Sequence, residues 1–208
     1  MRLLTLYFAC MAGLLSSCSS RPGKVDKEGM YAYLNKPSHG LQHEEEKNGI
    51  KAKIRYQPQE LLVMQEWERA EKQDSSLLDS LRRKYSSYRY FVLELSKDKK
   101  EVIRELGGFS RYSDMLQVLA FQMQRYVNIT TSAHDTLALS DYVFQQTYGM
   151  SNANSLLFVF PAAELQKARD YELNIGEFGL GMGSLRFHFK EEDIKDVPTL
   201  DFTSKTKK

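Results

Sequence analysis

The sequence predicts an α+β fold, a mainly antiparallel β-sheet or sandwich with one amphipathic helix packed on it. Three observations carry this reading. Ile50, Ala52, Ile54 and Tyr56 alternate with Lys51, Lys53 and Arg55 directly after Asn48-Gly49, a dipeptide suited to the positive φ angles of a two-residue hairpin. Tyr112, Leu116, Leu119, Met123 and Tyr126 fall on one helical stripe, with Met115 and Val118 beside it. Beyond residue 127, short aromatic and β-branched runs recur between turn residues.

Taken in order, residues 18–38 contain Pro22, Gly23 and Pro37 among mixed charges and read as a tether that docks through Tyr31 and Tyr33. A strand over 41–47 enters the Asn48-Gly49 turn, with Glu44, Glu45 and Glu46 set to face the basic side of the next strand. Pro58 ends that strand. Residues 59–70 and 75–84 read as helices, the second capped by Asp74 or Ser75. A strand over 88–95 closes at Lys97-Asp98-Lys99-Lys100, and a short segment over 101–106 stops at Gly107-Gly108. The main helix spans 109–126, with Ser110 or Ser113 as cap and its stripe lying across a sheet. Strands follow at 127–131, 135–139, 140–148, 156–160, 171–175 and 185–189, with a short helix at 162–168. The continuously apolar run Leu156 to Phe160 reads as a central strand covered on both faces.

The amino terminus carries the most specific signal. Arg2 precedes an apolar run from Leu3 to Leu15, too short for a membrane span, which needs about 20 residues, but suited to a signal-peptide core. Leu15-Ser16-Ser17-Cys18 follows and resembles the lipobox of bacterial lipoproteins. That resemblance implies cleavage before Cys18, a diacylglyceryl thioether on its sulfur and an acylated amino group. Anchoring then needs no spanning helix, because burial of acyl chains contributes about 0.8 kcal/mol per CH₂. Ser19-Ser20 in place of an Asp after the cysteine implies an outer-membrane address. The absence of an acidic cluster in Ser19 to Lys24 favours the periplasmic face over the cell surface.

Composition narrows the function further. Loss of residues 1–17 leaves about 190 residues, organised as a lipidated tether over 18–38, one domain over 39–202 and a basic tail over 203–208. Cys10 leaves with the leader, so Cys18 is the one cysteine of the mature chain and no internal disulfide or thiol nucleophile is expected. Removal of Arg2 takes the formal charge from +2 to +1, which gives no basic surplus for nucleic acid. Twelve Tyr and eleven Phe form a heavy aromatic load that suits a sandwich core.

Candidate sites are few. Gly176, Gly179, Gly181 and Gly183 precede a period-2 segment rather than a helix, so a bulged hairpin is expected instead of a phosphate cradle. His39 and His43 stand four apart, but Gly40 between them argues against a helical metal site. His188 alternates with Phe187 and Phe189 and should point outward; Ser132, His134 and Asp135 are hydrolase residue types without an elbow motif. No catalytic set, metal or cofactor is assigned. The expected function is a membrane-anchored, non-catalytic accessory lipoprotein that binds other envelope proteins in an assembly or secretion complex. One alternative is a small-ligand or glycan binder using Trp67, Glu177 and tyrosines. Another is an envelope hydrolase using Glu177 with Glu191, Glu192 and Asp193, which requires those carboxylates to converge.

Overall fold

A computed structural model describes residues 23–203. The fold is α+β, as the sequence predicts, and its strands form two sheets. Helix α1 (Lys27–Leu34) starts at Asp26, whose carboxylate accepts the Gly29 amide at 2.8 Å. Strands β1 (Gln42–Lys47) and β2 (Ile50–Gln57) form the first hairpin, with Asn48 at φ 53° and Gly49 at φ 73°. Helices α2 (Gln59–Arg69) and α3 (Ser75–Ser86) pack as a pair, and Asp74 caps α3 by accepting the Leu77 amide at 2.9 Å. Strand β3 (Tyr88–Lys97) turns through Asp98-Lys99 into the two-residue β4 (Lys100–Glu101), and a 3-10 turn over 102–105 leads to α4 (Phe109–Phe121). Then come β5 (Val127–Thr131), β6 (Thr136–Ala138), β7 (Asp141–Gln145), β8 (Asn154–Pro161) and α5 (Ala162–Leu165). Strands β9 (Asp170–Ile175) and β10 (Leu185–Lys190) and helix α6 (Glu191–Lys195) complete the chain.

The larger sheet runs β1-β2-β3-β8-β7, with β4 also on β3; the smaller runs β10-β9-β5-β6, and every strand pair is antiparallel. Their inner faces build one sandwich core. In the larger sheet Ile54, Leu93 and Leu156 stand in one row and Tyr56, Phe91 and Phe158 in the next. In the smaller, Ile129, Leu173 and Phe187 face them from one row and Val127, Ile175 and Leu185 from another. Phe91 joins the layers, lying 5.0 Å from the Phe189 ring and 6.2 Å from Tyr171.

Several elements differ from expectation. The segment read as tether is docked from Val25 onward, so the packed region begins well before residue 39. Val25 forms a parallel bridge with Leu200, donating to the Thr199 carbonyl at 3.0 Å and accepting from the Asp201 amide at 2.8 Å. Met30 and Leu34 are fully buried while Tyr31 and Tyr33 are half-buried, so α1 docks through the aliphatic pair at i and i+4. Helix α4 ends at Phe121, not 126, because Gln122 leaves helical geometry (φ −124°, ψ 0°) and 123–125 form a separate turn. Its N-cap is Gly108; Ser110 lies inside the first turn, and neither it nor Ser113 caps the helix. The helix packs against β7 and the 102–105 turn. In β8, Leu156, Phe158 and Phe160 are buried but Leu157 and Val159 are only half covered, so this strand has one core face, not two.

Candidate functional site

A row of residues crosses the outer face of the larger sheet. Backbone register sets Arg55 beside Val92, Val92 beside Leu157, and Leu157 beside Val143. Each is the outward neighbour of a core residue, because side chains alternate along a strand. These residues floor a groove of about 850 Å³, with Gln57, Glu94, Ser155 and Gln145 extending the floor. Leu61, Leu62, Gln65, Glu68 and Arg69 of α2 form its wall, and Lys27 and Tyr31 of α1 close the corner. Val143, at the sheet edge, is 56% exposed, so the apolar floor opens to solvent.

Charges in this groove are unevenly balanced. Lys27 pairs with Glu68 at 2.6 Å, and Lys53 pairs with Glu94 at 3.4 Å. The half-buried Arg55 takes neutral partners: its guanidinium donates to Gln57 Oε1 at 3.3 Å and Asn35 Oδ1 at 3.5 Å, and lies 5.1 Å from the centre of the Tyr31 ring. Arg69 stands exposed on the rim. The aliphatic stretch Val92, Leu157 and Val143, with Arg55 at its end and Arg69 on the rim, suits a ligand that is both apolar and anionic.

The residues singled out from sequence do not converge on this groove. Trp67 is half-buried on another face of α2, its ring meeting Phe202 edge-on at 6.3 Å. Glu177 is held by its own loop: one carboxylate oxygen accepts the amides of Gly179 at 2.7 Å and Gly181 at 2.9 Å, and the other accepts that of Gly183. These three glycines have φ of 106°, 72° and 66°, which turns their N–H groups inward around the carboxylate. Alternating with them, Phe178, Leu180 and Met182 are buried, so the loop plugs one end of the sandwich. The glycines therefore cradle a carboxylate supplied by the chain itself.

Partial burial opposes ionisation of Glu177, but the amides of Gly181, Gly179, Gly183 and Leu180 outweigh it and hold its carboxyl below the ordinary 4.5. The loop's stabilisation is thus complete above that value and is lost as pH falls through the lower folded value. Glu177→Gln is expected to cost about 1–2 kcal/mol, discounted for the exposure of the side chain, and to speed amide exchange at Gly179 and Gly181. NMR exchange rates measured as the pH is lowered below 4.5 check both expectations.

The acidic run lies elsewhere. Glu177 follows the Ile175–Leu185 end of the β9–β10 hairpin, whereas Glu191 to Asp193 follow its Lys190–Asp170 end. Five residue steps separate the ends, roughly 17 Å at about 3.4 Å per step, which is too far for the two-carboxylate geometry. Glu191 is buried in an ion pair with Arg89 at 2.8 Å. His39 and His43 are engaged separately: His39 Nδ1 contacts the Tyr33 carbonyl at 2.8 Å, and the His43 ring packs edge-on to Phe189 at 4.7 Å. Burial lowers the His43 pKa, the largest of several influences on it. His188 points outward and is exposed, and Ser132, His134 and Asp135 lie exposed at the β5–β6 turn. Among the described residues no group of three or more His, Cys, Asp or Glu is placed to hold a metal, and no helix is long and apolar enough to cross a membrane. Cys18 lies outside the described residues.

No family model matches the chain, and no curated protein or solved structure is significantly similar to it. What the fold and groove define is a class by geometry alone: an α+β sandwich with an open, partly apolar groove on one sheet, lined by Lys27, Arg55 and Arg69 together with Glu68 and Glu94.

Proposed function

We propose that this protein is a lipid-anchored envelope protein that binds a segment of another envelope protein in the groove over β2, β3, β8 and β7, and is not itself a catalyst. The observation that carries the reading is the row Arg55, Val92, Leu157 and Val143, an aliphatic floor with a guanidinium at one end. A peptide with apolar side chains and one or two carboxylates matches both chemistries. A fatty acid shares them but needs an enclosed channel to keep water from its chain, and this floor is open at Val143. The lipobox-like Leu15-Ser16-Ser17-Cys18 supplies the anchor, with Ser19-Ser20 favouring the outer membrane and its periplasmic face. Glycan capture through Trp67 and Glu177 has less support, since one ring is packed on Phe202 and the other side chain is held by backbone amides.

The test is a random peptide-display selection on the immobilised mature protein. Enriched peptides should combine Leu, Ile or Phe with Asp or Glu. Val143→Glu and Leu157→Glu should abolish the enrichment by placing like charge on the floor. Val143 is exposed, so its variant should keep the wild-type unfolding midpoint. Enrichment that survives both substitutions, or a basic consensus, overturns the proposal.

A further inference from the structure

We infer that the outer face of the smaller sheet is a second binding site, one that takes a short acidic saccharide. It is separate from the peptide groove, which lies on the other sheet. Strand register sets Arg186 of β10 beside Asn174 of β9, and Asn174 beside Asn128 of β5. The next row is His188, Glu172 and Thr130. Each of these residues is flanked along its strand by buried neighbours, so its side chain points outward. A groove of about 530 Å³ runs over this face, with Arg125 and Tyr126 at the end where β5 begins. Ile175 and Leu185 also border it, but their side chains are buried in the core. The floor is therefore built from polar side chains and backbone.

The polar groups of this floor are held in place before any ligand arrives. Asn174 Nδ2 donates to Asn128 Oδ1 at 3.0 Å and to Thr130 Oγ1 at 3.1 Å. Among the described residues, that leaves Asn174 Oδ1 to accept, and Asn128 Nδ2 and the Thr130 hydroxyl to donate. Arg125, Arg186 and Glu172 form no ion pair with any described residue. Two guanidiniums against one carboxylate leave the site cationic, so it attracts an anion. Glu172 repels a bare anion and can only accept, so the ligand must also bring donors. A hydroxyl both donates and accepts, which answers the mixed set Asn128, Thr130, Asn174 and Glu172. A sugar acid carries both chemistries on one rigid ring. From Arg186 to Asn128 is two strand spacings, about 10 Å, long enough for a disaccharide. A lipid or an apolar peptide finds no matching surface here.

Calorimetric titration of the full-length protein tests this. The probes are digalacturonate, the glucuronate–N-acetylglucosamine disaccharide, neutral cellobiose, the dipeptide Gly-Asp and inorganic phosphate. At least one acidic disaccharide should bind, and more tightly than cellobiose, Gly-Asp or phosphate. Arg125→Gln with Arg186→Gln should weaken that binding about tenfold. Both side chains are exposed, so the unfolding midpoint of the double variant should stay at the wild-type value. Val143→Glu, in the peptide groove, should leave saccharide binding unchanged, which keeps the two sites distinguishable. No binding of either acidic disaccharide overturns the proposal. So does equal affinity for Gly-Asp or phosphate, or an acidic preference that survives the loss of both arginines.

Discussion

Glu191→Ala is expected to destabilise the fold by about 3–5 kcal/mol, the cost of leaving one member of a buried ion pair unmatched. The Glu191 side chain is 2% exposed and that of Arg89 14%, and they meet at 2.8 Å at the end of the sandwich where β10 passes into α6. Removal of the carboxylate strands a guanidinium beside the Tyr171 hydroxyl, a buried oxygen that already has no hydrogen-bond partner. Arg89 Nε and Glu191 Oε2 are likewise unpartnered, so the pair is imperfectly satisfied even in the native protein. The double variant Arg89→Met with Glu191→Leu should therefore recover most of the loss, since apolar replacement of a buried pair is often neutral or better. Glu192→Ala supplies the contrast: its carboxylate is 74% exposed and 3.4 Å from Lys190, and its loss should shift stability by no more than about 0.5 kcal/mol. Urea unfolding midpoints of the four proteins distinguish these outcomes, and a Glu191→Ala midpoint equal to that of Glu192→Ala would refute the assignment.

Very little of that pair was legible in the sequence. Arg89 sits in an aromatic strand, and Glu191 opens an acidic run, Glu191-Glu192-Asp193, that reads as a solvated strand end. Only the closing of the sandwich brings residues 102 apart in sequence into contact. Local patterns fared better. The alternation over Ile50 to Tyr56 and the Asn48-Gly49 turn specify the first hairpin, because period 2 and positive φ are properties of neighbouring residues. Helix α1 leaves little trace in the sequence because only Met30 and Leu34 of its eight residues are fully buried, and Gly29 lies in its first turn. The glycine loop offered an unread clue. Phe178, Leu180 and Met182 alternate with Gly179, Gly181 and Gly183, which sends apolar side chains to the core and amides to Glu177.

The groove was hidden for a different reason. The central row of its floor draws one residue from each of four strands, and no sequence spacing links Arg55 to Val143. A partial signal existed in Leu156 to Phe160, whose unbroken apolar run reads as two covered faces. The structure leaves Leu157 and Val159 half covered. An apolar strand face without a cover is what a binding surface requires. Val92 and Leu157 can be altered without touching the core, because Phe91 and Phe158 beside them point to the opposite face.

The groove's charge carries the second large effect. The half-buried Arg55 guanidinium, meeting a carboxylate on a partly desolvated floor, is worth roughly 1.4 kcal/mol, a factor of about ten in affinity. Arg55→Gln removes that contact on the half-buried floor, and Arg69→Glu reverses a weaker, solvent-exposed one on the rim, so a loss of about ten- to fiftyfold is expected. Both side chains lie outside the sandwich core, and Gln at 55 keeps polar reach toward Asn35 and Gln57. The folded state should therefore survive.

The decisive measurement is a fluorescence-anisotropy titration of an acidic–apolar peptide, and of its Lys-for-Glu counterpart, against the wild type and this double variant. Tight binding of the acidic peptide to the wild type is expected, with weak binding of the basic one and loss of that preference in the variant at an unchanged unfolding midpoint. Equal affinity of the wild type for both peptides, or an acidic preference that persists without the two arginines, would contradict it.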